Sequence, residues 1–326
     1  MNECAIRGIG GHFQPFNKAF VVVIIFPPHN LSLLRFDSSL SAKYTAIVSL
    51  KPFYPLPPNA QLIELGNLPL AVLDVPASGQ EIGVVHLVHG FTGSKEDFWE
   101  MASHLAHAGF RVVAHDNRGQ HQSGHTRSYE LDDFASDVLE VERALGLENT
   151  HILGHSFGGL VARRAVLLDP DTFQSITLLC SGPGKNLRRT KALQGMMEFL
   201  GDKTMAEAWS MQKVNYIEDI MVNPHPDEES VWTHRWHVSD KLSLFGQAKI
   251  LMNEIDRTEE LYEVGIAAHV VYGENDDAWP LEEQDEMAEQ LEAERSIIKF
   301  AGHCPNEEMP AVTAAVLAAW WREFHQ

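Results

Sequence analysis

The sequence has little cysteine: Cys4, Cys180 and Cys304 are all it carries in 326 residues. A sparse, odd set of thiols excludes a disulfide framework and fits a reducing compartment. Basic residues are scarce too, 25 Lys and Arg against 45 Asp and Glu, for a formal net charge of −20. So acidic a surface repels phosphate, which argues against nucleic acid and anionic membranes as partners. Long apolar runs are also missing. No stretch approaches the ~18 residues that span a bilayer, so no stable membrane insertion is expected. The longest run, Ala19 to Phe26, stops at Pro27-Pro28 and has only Arg7 and Lys18 as bases before it. Without a small-residue cleavage site close behind, it is a poor secretory signal, and a cytoplasmic protein is expected. Internal repeats and low-complexity tracts are lacking. What remains, 44% hydrophobic and 21% charged residues, is ordinary for a globular protein with one large core plus an inserted or appended piece. The sequence leaves homo-oligomer formation open.

Residues 1–58 show neither a helical nor an alternating period. They close on Pro52, Pro55, Pro57 and Pro58, which keep the backbone extended and block helix. This segment reads as a poorly ordered N-terminal extension. Periodicity starts near Gln61. QLIEL and LPLAVLDV, split by Gly66-Asn67, predict a β-hairpin. Apolar runs at 82–89, 110–116, 150–155 and 175–181 then alternate with helical patterns at 96–107, 131–145 and 157–168. Such alternation predicts parallel strands with right-handed crossovers. It stops at Ser181-Gly182-Pro183-Gly184 and resumes at Ile266, with a helix at 282–292, a strand at 296–302 and a helix at 308–324. The expected fold is therefore α/β, a doubly wound and mostly parallel sheet with an inserted helical cap. Residues 59–181 and 251–326 form its core and 182–250 the cap, placed over the carboxyl ends of the strands, where such sheets bind ligands.

The sharpest feature is Gly154-His155-Ser156-Phe157-Gly158, between a predicted strand and a predicted helix. So tight a turn needs neighbours without side chains, and it stands the serine clear of the backbone at a helix N-terminus. There the N–H of Phe157 can meet a carbonyl oxygen under attack. A serine hydroxyl needs a base, and the base needs a carboxylate to orient it. Downstream, VVYGENDDAWP offers Asp276, the third residue past Gly273, with Asp277 as its neighbour. Either could instead be a turn residue before the next helix. FAGHCPNEEMP then places His303 beyond the acid, after the last predicted strand. Imidazole, with an ordinary pKa near ~6.5, suits a general base at neutral pH. The adjacent Cys304 reads as a half-buried thiol rather than a second nucleophile. Upstream, His89-Gly90-Phe91-Thr92-Gly93-Ser94 follows the first buried strand. Its glycines let the N–H of Phe91 turn inward as a second oxyanion donor, while Ser94 can cap the helix that follows.

HGFTGS, DNRGQHQSG, GHSFGG, GENDD and AGHCPNEEMP together resemble the successive signature blocks of the α/β-hydrolase superfamily, in particular its capped bacterial esterase and lipase-like branch. The resemblance covers about residues 60–181 and 250–326. It implies a catalytic triad of Ser156, Asp276 and His303, and an oxyanion hole from the backbone of Phe91 and Phe157. It implies no cofactor and no metal, and it gives Asp116-Asn117-Arg118-Gly119 a structural role.

The cap holds Met196, Met197, Met205, Met211, Met221, Trp209, Trp232 and Trp236. They can line an apolar pocket or form the cap's own core. His225, His234 and His237 lack the accompanying ligands of a metal site. The leading function is hydrolysis of a carboxylic ester of a small or medium apolar substrate through an acyl-enzyme. One alternative is carbon–carbon bond hydrolysis of a dienoic acid, which calls for a carboxylate-binding group that none of Arg163, Arg164, Arg188 and Arg189 clearly supplies. The other is a hydrolase fold kept as a ligand receptor. An aspartate is needed at the elbow for dehalogenase or epoxide chemistry, and Ser156 argues against both.

Overall fold

Residues 47–49, 59–65, 69–211 and 226–326 are described in a computed structural model of the chain. Nine strands are present among them: β1 (Ile47–Ser49), β2 (Gln61–Leu65), β3 (Leu70–Val75), β4 (Gly83–Val88), β5 (Phe110–His115), β6 (Thr150–His155), β7 (Phe173–Leu179), β8 (Ala267–Gly273) and β9 (Glu294–Ile298). They form one sheet in the order β1-β2-β3-β5-β4-β6-β7-β8-β9. β2 and β3 make the expected hairpin, and β3 runs antiparallel to β5. From β5 to β9 every pairing is parallel. A strand with parallel neighbours on both edges and helices on both faces has no polar side. Accordingly Val85, Leu87 and Val88 of β4 and Ile152 and Leu153 of β6 are fully buried. β1, inside the stretch read as an N-terminal extension, pairs with β2 outside it. The rest of that stretch lies outside the described residues.

Helices α1 (Trp99–His107), α2 (Leu131–Leu145) and α3 (Phe157–Leu168) alternate with the strands. The sequence marks their ends. Asp133 accepts the N–H of Glu130 at the start of α2, and Gly146, at φ 61°, turns the chain out of it. Between β7 and β8 come α4 (Thr190–Leu200), α5 (Pro226–Val238), α6 (Lys241–Asn253) and α7 (Thr258–Val264), with no strand among the described residues there. This insertion has a small core of Leu200, Met205, Ala208, Trp209, Trp236 and Leu244. Met205, Trp209 and Trp236 are thus core side chains, while Met211 is exposed and Met221 lies outside the described residues. No described helix is long and apolar enough to cross a membrane.

The chain closes with α8 (Leu281–Gln290), α9 (Pro305–Glu308) and α10 (Pro310–Trp321). Two boundaries differ from the sequence expectation. The last strand is not 296–302 but Glu294–Ile298, because its pairing with β8 ends at Gly273↔Ile298. Phe300 beyond it sits in a turn, at φ 65° and 83% exposed. The final helix is two pieces, interrupted at Met309 (φ −138°) before Pro310, whose ring fits only a helix's first turn.

Strand order reverses around β4, whose neighbours β5 and β6 leave it in opposite directions along the sheet. That is where doubly wound sheets open a crevice at their carboxyl ends.

Candidate active site

Ser156 follows β6 and starts α3 at φ 53°, ψ −116°. A non-glycine residue there is strained and must be held by its surroundings. The two flanking glycines permit it. A Cβ on Gly154 would stand 2.1 Å from the carbonyl oxygen of Gly158, and one on Gly158 would stand 2.1 Å from that of Val88. No other residue fits either place.

The structure brings the three predicted side chains together from the carboxyl ends of β6, β8 and β9. The Ser156 hydroxyl lies 3.0 Å from His303 Nε2, and His303 Nδ1 lies 2.9 Å from Asp276 Oδ1. A carboxylate only accepts, so Nδ1 carries the proton and Nε2 is the unprotonated nitrogen that faces the serine. Asp277 points elsewhere: its side chain is 79% exposed and pairs with Arg189 at 3.2 Å. Asp276 is buried and saturated. Its Oδ1 also accepts from the N–H groups of Ala278 (2.9 Å) and Trp279 (3.3 Å), and its Oδ2 from the Gln284 side chain at 3.1 Å. Burial pushes its pKa up, but the His303 and backbone hydrogen bonds outweigh burial and hold it below the usual carboxylate range.

Two histidines beside the site were not assigned from sequence. His155 Nε2 donates to the backbone carbonyl of His303 at 2.8 Å. Burial, with His303 close by, lowers its pKa to about 3, so it is neutral. His89 lies under the glycine-rich loop. The Asn117 N–H donates to its Nε2 at 2.9 Å, so Nδ1 carries the proton and donates to the Gly90 carbonyl at 2.8 Å. The Gly90 carbonyl also accepts from Gly93 N–H at 3.1 Å. In a planar trans peptide the C=O and the next N–H point in opposite directions. Holding the Gly90 oxygen therefore aims the N–H of Phe91 away from the loop interior. Phe157 opens α3, where a backbone N–H has no partner within the helix. Ser94 caps the 3₁₀ turn Lys95–Phe98, and Asp97 accepts its backbone N–H at 3.0 Å.

Cys304 is a poor nucleophile: burial, and the acids Glu307, Asp97 and Glu308 around it, raise its thiol well above the ordinary range. Among the described residues two side-chain groups bring three ligating atoms within 4.8 Å of one another. One is Cys180 with Asp276 and His303, the hydrogen-bonded pair just described. In the other, Glu96, Asp116 and His121, the Lys95 ammonium already sits 3.0 Å from Glu96 and 2.7 Å from Asp116. Arg118 pairs with Asp137 at 2.7 Å, binding the Asp116–Gly119 loop to α2. His234 packs edge-on to His121, and His225 lies outside the described residues.

Comparison with known proteins bears on the fold. A family described as alpha/beta hydrolase fold matches residues 83–220. The chain is 24% identical over 254 residues to a bifunctional esterase/perhydrolase of Acinetobacter calcoaceticus, covering 72% of this chain and 90% of that one. It is 25% identical over 207 residues to a non-heme chloroperoxidase of Burkholderia pyrrocinia, covering 59% and 74%. An esterase structure from Exiguobacterium antarcticum superposes with a TM-score of 0.65 at 22% identity, over 78% of this chain and 95% of that one. Its sheet order, strained serine turn and matched relatives give the chain the α/β-hydrolase fold.

Proposed function

We propose that this hydrolase is a serine esterase acting through an acyl-enzyme on a small or medium apolar carboxylic ester, with Ser156, His303 and Asp276 as its triad. The observation that carries this reading is the continuous hydrogen-bonded line from the Ser156 hydroxyl through both nitrogens of His303 to Asp276. His303 Nε2 takes the hydroxyl proton as Ser156 attacks the ester carbonyl. Asp276 stabilises the imidazolium that forms without itself being protonated. The negative oxygen of the tetrahedral intermediate is held by the N–H groups of Phe91 and Phe157. His303 then protonates the leaving alcohol, and later activates the water that releases the acid. The insertion acts as a cap over this site. Phe91 supports that role, since its side chain packs against both the main core and the insertion's core.

The arginines favour an ester over a dienoic acid. Arg163 is bound to the carbonyls of Gly182 and Pro183, Arg164 to Asp132, and Arg188 to the Asp277 carbonyl. Arg189 pairs with Asp277. Each already has a partner, so none of the four stands ready for a substrate carboxylate.

The test is hydrolysis of p-nitrophenyl esters from two to sixteen carbons by the wild type and by Ser156→Ala. Serine-dependent turnover supports the proposal, and the preferred chain length reports the depth of the pocket. Fluorophosphonate labelling of Ser156 without ester turnover moves the search to carbon–carbon or amide substrates. Folded protein with neither response leaves the receptor reading in its place.

A further inference from the structure

We propose that Arg235, on α5 of the insertion, is a positioning residue that holds the oxyanion loop in its working shape and so couples docking of the insertion to catalysis. This rests on the reading of Phe91 as an oxyanion donor. Arg235 is 3% exposed. Its Nη2 donates to Asp97 Oδ1 at 2.7 Å and to Ser94 Oγ at 2.6 Å, and its Nη1 donates to the Thr92 carbonyl at 3.3 Å. The guanidinium also lies over the Trp232 ring, 4.2 Å from its centre. All three acceptors belong to the short segment that begins one residue after Phe91.

That segment needs holding. Thr92 is β-branched and sits at φ 60°, a conformation that such residues rarely adopt. Its hydroxyl donates to the Phe91 carbonyl at 2.6 Å. Strain of this kind persists only where the surroundings over-determine it. His89 fixes the peptide before Phe91, through the Gly90 carbonyl. Arg235 fixes the peptide after Thr92, and it does so from a different part of the chain. Asp97 extends the hold: its backbone carbonyl accepts from Asn306 at 2.9 Å, three residues past His303. One guanidinium thus ties the insertion to the oxyanion loop and, through Asp97, to the segment carrying the base. Little water reaches it. In so dry a setting a charge pair is screened little and its geometry counts.

A pair that merely fastened the insertion would shape substrate binding and leave the loop alone. The experiment compares wild type, Arg235→Lys and Arg235→Met as full chains. It measures kcat and KM on p-nitrophenyl butyrate, and amide hydrogen exchange across residues 89–98 and across α3. In Arg235→Met we expect kcat to fall about tenfold, a fraction of the ~10²–10³ lost with an oxyanion donor, with KM within about twofold. Exchange should quicken in 89–98 and stay unchanged in α3. Arg235→Lys should recover part of kcat, since it keeps the charge on Asp97 but loses the fork. Unchanged exchange in the loop of a folded variant overturns the proposal, as does a raised KM at constant kcat. Should Arg235→Met not fold, Arg235→Lys is held to the same two criteria. Exchange reads the loop whether or not the wild type cleaves esters, so failure of the esterase reading is separable from failure of this one.

Discussion

The imidazole of His155, immediately before Ser156, donates its Nε2 proton to the backbone carbonyl of His303 at 2.8 Å. The residue that precedes the serine therefore fastens the loop that carries His303, which follows the edge strand β9. Replacing His155 by Phe keeps the bulk and removes the donor. We predict a fall in kcat of between about tenfold and a hundredfold, the scale on which small misplacements of catalytic groups act. His155→Gln, which can still donate, should keep most of the activity. Steady-state kinetics on a short ester decides it, and a Phe variant with wild-type kcat would refute the role.

Asp276 and Asp277 are adjacent in sequence and opposite in setting. Asp276→Asn should lower kcat by about ten-thousand-fold, because an amide no longer fixes the imidazole tautomer. Asp277→Asn loses only a solvent-screened pair with Arg189 and should change kcat by less than about twofold. Equal effects of the two substitutions would mean that the acid is misassigned.

Stability should drop on mild acidification. Burial, aided by His325, lowers His151 to about 3, burial and His303 lower His155 to about 3, and burial lowers His269 to about 4. The unfolded chain takes up these protons from near the ordinary value of 6.5 downward, whereas the folded chain resists until pH 3 or 4. Their contribution is therefore complete above about pH 6.5 and is lost as pH falls below it, by about 1.4 kcal/mol per unit for each histidine. Urea unfolding at pH 7 and pH 5 measures the slope. His269→Gln should flatten it by one histidine's share, and a slope that the substitution leaves unaltered counts against the account.

Arg163 is a buried cation hydrogen-bonded to the carbonyls of Gly182 and Pro183, where the chain leaves β7 for the insertion. Burial lowers its pKa to about 10, yet it stays charged at neutral pH. Arg163→Leu strips two buried carbonyls of their donors. We expect a loss of about 2 to 3 kcal/mol in urea unfolding, from the desolvated groups left unpaired. A loss under about 0.5 kcal/mol would show that water replaces the guanidinium there.

The sequence by itself determined the nucleophile turn and the central strands, because the physics of both is local. Gly154 and Gly158 mark one tight turn that a side chain at either place would block, and a strand buried on both faces must be an apolar run. The positions of Ser156, Asp276 and His303 past successive strands were legible for the same reason, since each follows a strand end. What only the tertiary structure decided depends on partners distant in the chain. SIIKFAG reads as a strand throughout, yet its pairing is exhausted at Ile298 and Phe300 turns to solvent. The choice between Asp276 and Asp277 rested on which one faces His303. Gln284 lies in a stretch that reads only as a helix, and its role exists because its amide meets Asp276. His89 and His155 stand inside HGFTGS and GHSFGG, and Arg163 and Arg235 in no motif, yet the partners Asn117, His303, Gly182 and Asp97 that give them their places are far away in the chain. Each acts through a hydrogen bond to a group that folding brings near, and no periodicity in the sequence encodes such a meeting.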